Sequence, residues 1–161
     1  MKAKEIMTPN AIACTPTSML ADAAKAMWDN DCGILPVVTE GGKVVGLITD
    51  RDICMAAGMH NCNLSNLAVE DVINGKVYSV KPEEDVHKAL EVMRDHKIRR
   101  VPVVDADDKL QGMLSMNDVV LRAQDAKDKK VSSITYADVV DTYKSICAHQ
   151  LPIERTHGAG A

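Results

Sequence analysis

The sequence predicts a mixed α/β (α+β) protein in which one β-α-β-β-α unit occurs twice and a C-terminal helix follows. The first observation is an internal repeat at a shift of 66 residues. The second is that each copy alternates short apolar runs with segments of helical period. The third is a composition of 46% hydrophobic residues with no Phe, so aliphatic and Met side chains must form the core.

The repeat aligns its two copies without a gap over residues 3–54 of the first copy. It keeps two Pro-Val-Val blocks and two Gly-x-x-[Thr/Ser]-x-x-Asp blocks in one register. The aligned pairs include Pro16 and Pro82, Met27 and Met93, Pro36 and Pro102, Gly46 and Gly112, Thr49 and Ser115, and Asp52 and Asp118. We therefore predict a first repeat over 1–64, a second over 65–127, and a helical extension with a flexible tail over 128–161.

Each copy opens with a short apolar stretch and a helix. The stretches "AIAC" (11–14) and "VYSV" (77–80) predict strands. Apolar residues then recur at helical spacing. These are Leu20, Ala23, Ala24 and Met27 in the first copy, and Val86, Ala89, Leu90 and Met93 in the second. Thr17 or Ser18, and the acids from Glu83 to Asp85, are the expected caps.

Each copy continues with a hairpin and a second helix. "ILPVV" and "KVVGLIT" are joined by "TEGG", and "RVPVV" and "KLQGMLS" by "DADD", which predicts two hairpins. The second helix should run from Asp50 to about Ala57, stopped by Gly58, and from Met116 to about Gln124 in the other copy. Because a unit of about 55 residues buries little surface alone, we expect the copies to pack sheet against sheet about a pseudo-two-fold axis. Two equivalent clefts would then lie where they meet.

The segment "SSITYADVVDTYKSICAHQ" predicts an amphipathic C-terminal helix. Its apolar face carries Tyr136, Val139, Val140, Tyr143, Ile146 and Cys147. Ser132 or Ser133 is the expected cap, and Pro152 marks the expected end. The helix could pack on its own module or dock on a second subunit, and the sequence favours neither.

Composition excludes several classes of function. The net charge of −4 argues against binding to nucleic acid, which depends on clustered Lys and Arg. The sequence has no apolar run near 18 residues and no secretory signal, so we expect no membrane association. The five scattered cysteines are read as free thiols, which predicts a cytoplasmic protein.

The motif "GLITDRDI" (46–53), repeated as "GMLSMNDV" (112–119), is open to two interpretations. Thr49 and Asp52 could form a capping box at the start of a helix. They could also hold a hydroxylated ligand, and the two roles are compatible because a helix N-terminus attracts phosphate. The spacing alone does not decide between them.

The doubled unit, the "LPVV/VPVV" strand and the "Gly-h-h-[Thr/Ser]-x-x-Asp" ending together resemble a tandem pair of CBS domains, over roughly residues 1–125. The resemblance implies a regulatory, non-catalytic module that binds an adenosine compound, namely AMP, ADP, ATP or S-adenosylmethionine. It also implies a disc-like homodimer, and it implies no cofactor in the strict sense. The alternative is a ligand-free adaptor homodimer that docks on a partner protein.

The resemblance assigns a main cleft to the first motif. Asp52 would accept from the ribose hydroxyls, and Thr49 would contact ribose or phosphate. Arg99 and Arg100 would reach across from the second repeat to phosphate, since guanidinium groups suit phosphate oxygens. Adenine would lie between the apolar residues 11–13 and the backbone around Cys32 and Gly33, with Thr8 at the entrance. The residues predicted to line that part are Thr8, Ala13, Cys32 and Gly33.

A second, weaker cleft is predicted at Ser115 and Asp118. The positions equivalent to the two arginines are Gly33 and Ile34, which cannot neutralise a phosphate. Arg51 could compensate or could be an ordinary solvated side chain. The remaining predicted lining is Tyr78, within 77–79, and Ile98.

One rival site is a metal centre at Cys54, His60 and Cys62 in the connection between the repeats. Three soft ligands could hold zinc, but a fourth is not evident and the spacing fits no common motif. We therefore predict no metal site. No nucleophile–base pattern is present among the five His, so no catalytic residue is predicted.

Overall fold

The computed structural model describes residues 1–60, 63–73, 76–125 and 134–148. The helices are α1 (Leu20–Asp29), α2 (Asp50–His60), α3 (Val86–His96), α4 (Met116–Val120) and α5 (Tyr136–Cys147). The strands are β1 (Thr8–Pro9), β2 (Ile34–Val38), β3 (Val44–Thr49), β4 (Arg100–Val104) and β5 (Leu110–Ser115). Short 3₁₀ turns lie at Ala3–Glu5, Leu64–Asn66 and Val69–Asp71. The two-copy α/β architecture with a C-terminal helix is confirmed.

The two predicted hairpins form with the same register in both repeats. β2 pairs antiparallel with β3, and β4 with β5. Pro36 lies opposite Leu47, and Pro102 opposite Met113. Each hairpin shifts register immediately after the first Val of its Pro-Val-Val block. The same irregularity at equivalent positions follows from the repeated sequence.

A pseudo-two-fold axis passes between Lys43 and Lys109, which occupy equivalent positions and pair with each other in an antiparallel bridge. The Val44 N–H donates to the Asp108 carbonyl, and the Leu110 N–H donates to the Gly42 carbonyl, both at 3.0 Å. The rotation that superposes one repeat on the other also converts each of these two hydrogen bonds into the other. The hairpins are therefore joined at their turn ends by main-chain hydrogen bonds.

The segment that opens each repeat packs on the other repeat. Ala3 and Ile6 are buried in the core of the second repeat, and β1 pairs antiparallel with β5. Val69, the equivalent of Ala3, is fully buried in the core of the first repeat. Each core is thus completed by side chains from the opposite repeat.

Several local predictions were wrong. The stretches 11–14 and 77–80 form only single parallel bridges, Cys14 with Val37 and Val80 with Val103. Helix α1 follows Met19 without a side-chain cap, because the Ser18 hydroxyl instead accepts from the Thr15 N–H at 3.0 Å. In contrast, Asp85 caps α3 as predicted, accepting from the His87 N–H at 3.0 Å.

Two helix ends also differ from prediction. Helix α2 continues through Gly58 to His60, since glycine lowers helix stability without ending a helix whose other face is packed. Helix α4 ends at Val120, four residues earlier than expected. The chain turns there so that the Gln124 N–H donates to the Ile134 carbonyl at 2.9 Å, which leads into α5.

Helix α5 packs on the second repeat. Its cap is Thr135, whose hydroxyl accepts from the Asp138 N–H at 3.2 Å. The predicted caps Ser132 and Ser133, together with Pro152 and the tail, lie outside the described residues. The buried residues of this region are Ile134, Thr135 and Thr142, and the residues packed on the core are Val139, Tyr143 and Ile146. Packing on its own module is therefore realised, whereas docking on a second subunit stays a prediction.

None of the helices in the described part of the chain is long and apolar enough to cross a membrane.

Candidate ligand-binding cleft

The first motif forms a capping box at the start of α2. The Asp52 carboxylate accepts from both the backbone N–H and the hydroxyl of Thr49, at 2.9 and 2.7 Å. The Asp52 N–H donates back to the Thr49 hydroxyl at 3.1 Å. Both bonds to the carboxylate use its Oδ2, so the Oδ1 of the exposed Asp52 takes no part in the capping box.

The second motif repeats this geometry at the start of α4. Ser115 donates to Asp118 through its backbone N–H at 2.8 Å and through its hydroxyl. The Asp118 N–H returns a bond of 3.3 Å to the hydroxyl. The capping interpretation therefore applies to both copies, and the local hydrogen bonds alone do not distinguish a ligand site from a cap.

A cleft of about 450 Å³ adjoins the first motif. It lies between α1, the segment that follows α1, and the first turn of α2. Its lining residues are Ala24, Met27, Trp28, Asp31, Cys32, Gly33, Asp50, Ile53 and Arg100. Arg100 is the only one of these that belongs to the second repeat, so the cleft spans both copies.

Asp50 is a lining residue that the sequence interpretation missed. A Cβ atom on Gly33 would lie 2.9 Å from the Asp50 Oδ2, so the carboxylate occupies the space that the missing side chain leaves. The Asp50 N–H also donates to the Gly33 carbonyl at 3.3 Å. The sequence signal was the pair of acids in "TDRD", of which only the second belongs to the repeated motif.

Arg100 connects the two repeats at this cleft. It begins β4 directly opposite Ser115 in the β4–β5 register and is partly buried. No carboxylate in the described part of the chain forms an ion pair with it. Its guanidinium is therefore available to an anionic group that enters the cleft.

A smaller hollow lies near the equivalent place in the second repeat. Its volume is about 40 Å³, and it is lined by Arg99, Arg100, Ser115, Met116, Asn117 and Tyr143. Arg99 occupies the position of Gly33, and Met116 that of Asp50. Tyr143 of α5, which has no counterpart in the first repeat, covers the rest. The two places differ about tenfold in volume for these reasons.

The predicted residues of the main cleft are only partly gathered around this cavity. Cys32, Gly33 and Arg100 line it. Thr49 and Asp52 cap the helix beside it, and Arg99 lies in the smaller hollow. Thr8 is exposed in β1 opposite Met113, and Ala13 is partly buried; neither is among the lining residues. The role of each residue toward a ligand stays a prediction.

The predicted second-cleft residues have other neighbours. The Tyr78 ring stacks on His96 with centroids 3.4 Å apart. Ile98 packs against the core of the second repeat. The flanking residues of Tyr78 line a third cavity of about 150 Å³, whose members are Val44, Val77, Ser79, Val104 and Asp108. Ile34 begins β2 opposite Thr49, and Arg51 is exposed on α2.

The cysteines that the structure describes are free thiols. Burial raises the pKa of Cys14 to about 11, so its thiol is neutral at physiological pH and acts as core. Cys54 is exposed on α2, whereas the His60 side chain and Cys62 lie outside what the structure describes. The metal alternative therefore stays untested.

The doubled hairpin, the exchanged opening segments and a cleft spanning both copies define a tandem-repeat binding module. A family model for the CBS domain matches residues 3–58 and 69–125, which is more than half of the chain. The chain belongs to the CBS domain family. Pairs of this kind are generally regulatory and not catalytic.

Among its relatives is protein YlbB of Bacillus subtilis (strain 168), which is 33% identical over 124 residues, covering 76% of this chain and 82% of that protein. Among solved structures, the CBS domain pair of protein MJ0100, in complex with 5′-methylthioadenosine and S-adenosyl-L-methionine, has a TM-score of 0.68 at 26% identity, covering 75% of this chain and 94% of that chain. CBSX2, an Arabidopsis thaliana protein, in complex with AMP has a TM-score of 0.65 at 26% identity, covering 74% and 93%.

Proposed function

We propose that this protein is a regulatory sensor of an adenosine compound, which binds in the cleft at the start of α2. The observation that carries the proposal is the cleft of about 450 Å³ whose lining combines Arg100 of the second repeat with Asp50 and Ile53 of the first turn of α2. That volume lies within the range of about 300–1,000 Å³ typical of small-molecule sites. The adenosine ligands of MJ0100 and CBSX2 support the same class of compound for this chain.

The proposed roles follow from the geometry of the helix start. The Oδ1 of Asp52 would accept from a ribose hydroxyl, while its Oδ2 stays bonded to Thr49. The adenine would lie over the apolar part of the cleft at Met27 and Ile53. Arg100 would meet the anionic part of the ligand. No bond is made or broken in this scheme, so the protein acts by binding alone.

A ligand in this position would regulate by bridging the repeats. The hairpins are joined at their turn ends through Lys43 and Lys109, whereas Arg100 lies at the opposite end of β4. A ligand that contacts both α2 and Arg100 would favour the arrangement of repeats that brings them together. It shifts that equilibrium only by its difference in affinity for the two arrangements.

We further propose a cytoplasmic homodimer. The four cysteines that the structure describes are free thiols, which favours a reducing compartment. The α1/α2 face of the first repeat exposes Trp28 at 87% and Met59 at 74%, together with Met55. Large apolar side chains that stay exposed within one chain are consistent with an interaction surface. The same observation favours the second candidate function, a ligand-free adaptor that docks on a partner protein.

Isothermal titration with AMP, ADP, ATP and S-adenosylmethionine tests the sensor function. We expect saturable binding of at least one compound near one site per chain, and its loss in Asp52→Ala. Two sites of equal affinity per chain would contradict the expectation that the ligand binds in the cleft beside α2 and not in the smaller hollow beside α4. If none of the four compounds releases heat or raises the melting temperature, the adaptor function is favoured instead.

A further inference from the structure

The start of α2 already contains its own anions. The Asp50 Oδ1 accepts from the Arg51 N–H at 2.7 Å, and Asp52 accepts from Thr49. A helix N-terminus binds phosphate through free N–H groups and the positive end of the helix dipole. Here two carboxylates in the first turn offset that positive end.

The charged residues of the cleft lining are two acids and one base: Asp31, Asp50 and Arg100. The carboxylate of Asp50 is directed over Gly33, where a larger residue would exclude it. Asp31 adopts a left-handed conformation with φ of 48°, in the turn that connects α1 to β2. The lining therefore carries one net negative charge, in spite of the arginine.

The equivalent position of Asp50 in the second repeat is Met116. The repeated motif itself therefore does not require an acid there. Because Asp50 is absent from the repeated pattern and lies in the cleft, its charge has a consequence for the ligand and not only for the helix cap, which Thr49 and Asp52 already supply.

We infer that Asp50 determines ligand specificity in this cleft, by disfavouring polyphosphate and favouring an adenosine compound whose tail carries positive charge. This inference rests on the proposed function. A sulfonium or ammonium group on the tail would approach Asp50 and Asp31, and a carboxylate on the same tail would pair with Arg100. A triphosphate would gain one arginine but would face two carboxylates of like charge.

The test compares four probes on wild type and Asp50→Asn: ATP, AMP, S-adenosylmethionine and 5′-methylthioadenosine. Asn is nearly isosteric with Asp and keeps an oxygen for the Arg51 N–H. We expect wild type to bind S-adenosylmethionine at least tenfold more tightly than ATP. In Asp50→Asn, ATP should bind at least fivefold more tightly and S-adenosylmethionine at least fivefold more weakly, with the uncharged 5′-methylthioadenosine unchanged.

The matched control is Asp22→Asn. Asp22 is exposed on α1 and is not a lining residue, so its substitution removes the same charge outside the cleft. It should leave the order of the four affinities unchanged. A comparable effect of Asp22→Asn would show a general charge effect and would overturn the assignment to Asp50.

Failure of the inference is distinguishable from failure of the proposed function. If none of the four probes binds, the sensor function itself is contradicted. If the probes bind but wild type prefers ATP, or Asp50→Asn leaves the ratio of ATP to S-adenosylmethionine affinity unchanged, only the specificity role is overturned. Loss of 5′-methylthioadenosine in Asp50→Asn would also overturn it, since charge would then not be the property that matters.

Discussion

The Asp52 carboxylate holds Thr49 through two donors at once, the backbone N–H at 2.9 Å and the hydroxyl at 2.7 Å. Asp118 holds Ser115 in the same manner in the second repeat. The two acids therefore have equal capping roles, whereas only Asp52 lies beside a cleft large enough for a nucleoside. This pairing lets one residue serve as the control for the other.

We predict that Asp52→Ala and Asp118→Ala lower the free energy of unfolding by similar amounts, about 1 kcal/mol each, because each removes one capping box. Only Asp52→Ala should abolish binding of the adenosine ligand. Chemical denaturation and titration calorimetry on the two variants measure the two effects separately. If Asp118→Ala abolishes binding to the same extent, the ligand does not distinguish the two motifs.

A second matched pair is Gly46 and Gly112, which occupy equivalent positions. A Cβ on Gly112 would lie 2.5 Å from the Thr8 carbonyl oxygen, a main-chain atom of β1. A Cβ on Gly46 would lie 2.6 Å from the Ile73 Cδ1, the end of a side chain that can rotate. The added methyl group would therefore clash with main chain at Gly112, but with a side chain that can change rotamer at Gly46.

We predict that Gly112→Ala destabilises the protein by about 3 kcal/mol and Gly46→Ala by about 1 kcal/mol, within the usual range for overpacking. Urea denaturation of both variants measures the difference. Hydrogen exchange should also show faster exchange at the β1–β5 pair in Gly112→Ala alone. Equal destabilisation would mean that β1 can move away from β5 at little cost.

The sequence predicted the hairpins and the capping motifs because both depend on residues close in the chain, such as Gly46, Thr49 and Asp52. It did not predict that each opening segment packs on the other repeat. Ala3 and Ile6 carry no periodic pattern. The Ala3 N–H donates to the Glu84 carbonyl, about 80 residues further along the chain, and both side chains lie in the core of the second repeat. The sequence did not predict Asp50 as a lining residue of the cleft for the same reason. Its carboxylate reaches the cleft through its contact with Gly33, which is distant in the sequence.

The opening segment is also held by charge. Lys2 and Lys4 both donate to the Glu83 carboxylate, and these bonds lower its pKa to about 2 from an ordinary value of 4.5. A depressed carboxyl pKa contributes stability that is fully present above the unfolded value. That contribution is lost as the pH falls from about 4.5 through about 2.

We predict that Glu83→Gln lowers the melting temperature by a small amount at pH 7, since exposed ion pairs contribute little. The difference from wild type should shrink as the pH falls from about 4.5 towards about 2, because unfolded wild type is protonated at Glu83 below about 4.5 while the folded carboxyl stays ionised down to about 2. Glu40→Gln, at an exposed acid in the turn between β2 and β3, is the control and should show no such convergence. A difference that stays constant down to pH 2 would contradict the ion-pair explanation.

Helix α5 makes the two helical faces of the molecule unequal. It packs on α3 and α4 with Val139, Tyr143 and Ile146, although Tyr136, Val140 and Leu121 on that side stay exposed. In the described part of the chain, α1 and α2 have no such covering helix and expose Trp28 and Met59. The repeat equivalent of Trp28 is Arg94, a residue that needs no apolar partner. If the chain forms a homodimer, the uncovered α1/α2 face is the surface we expect it to use.

We predict that Met59→Glu converts the dimer to a monomer in sedimentation experiments, because a charge would have to be buried at the centre of the interface. Met59 is 74% exposed within one chain, so its substitution should leave the melting temperature of the monomer nearly unchanged. Val140→Glu, on the outer side of α5, is the matched control and should remain dimeric. A monomeric Val140→Glu together with a dimeric Met59→Glu would place the interface on α5 instead, and would revive the second of the two roles that the sequence allowed for that helix.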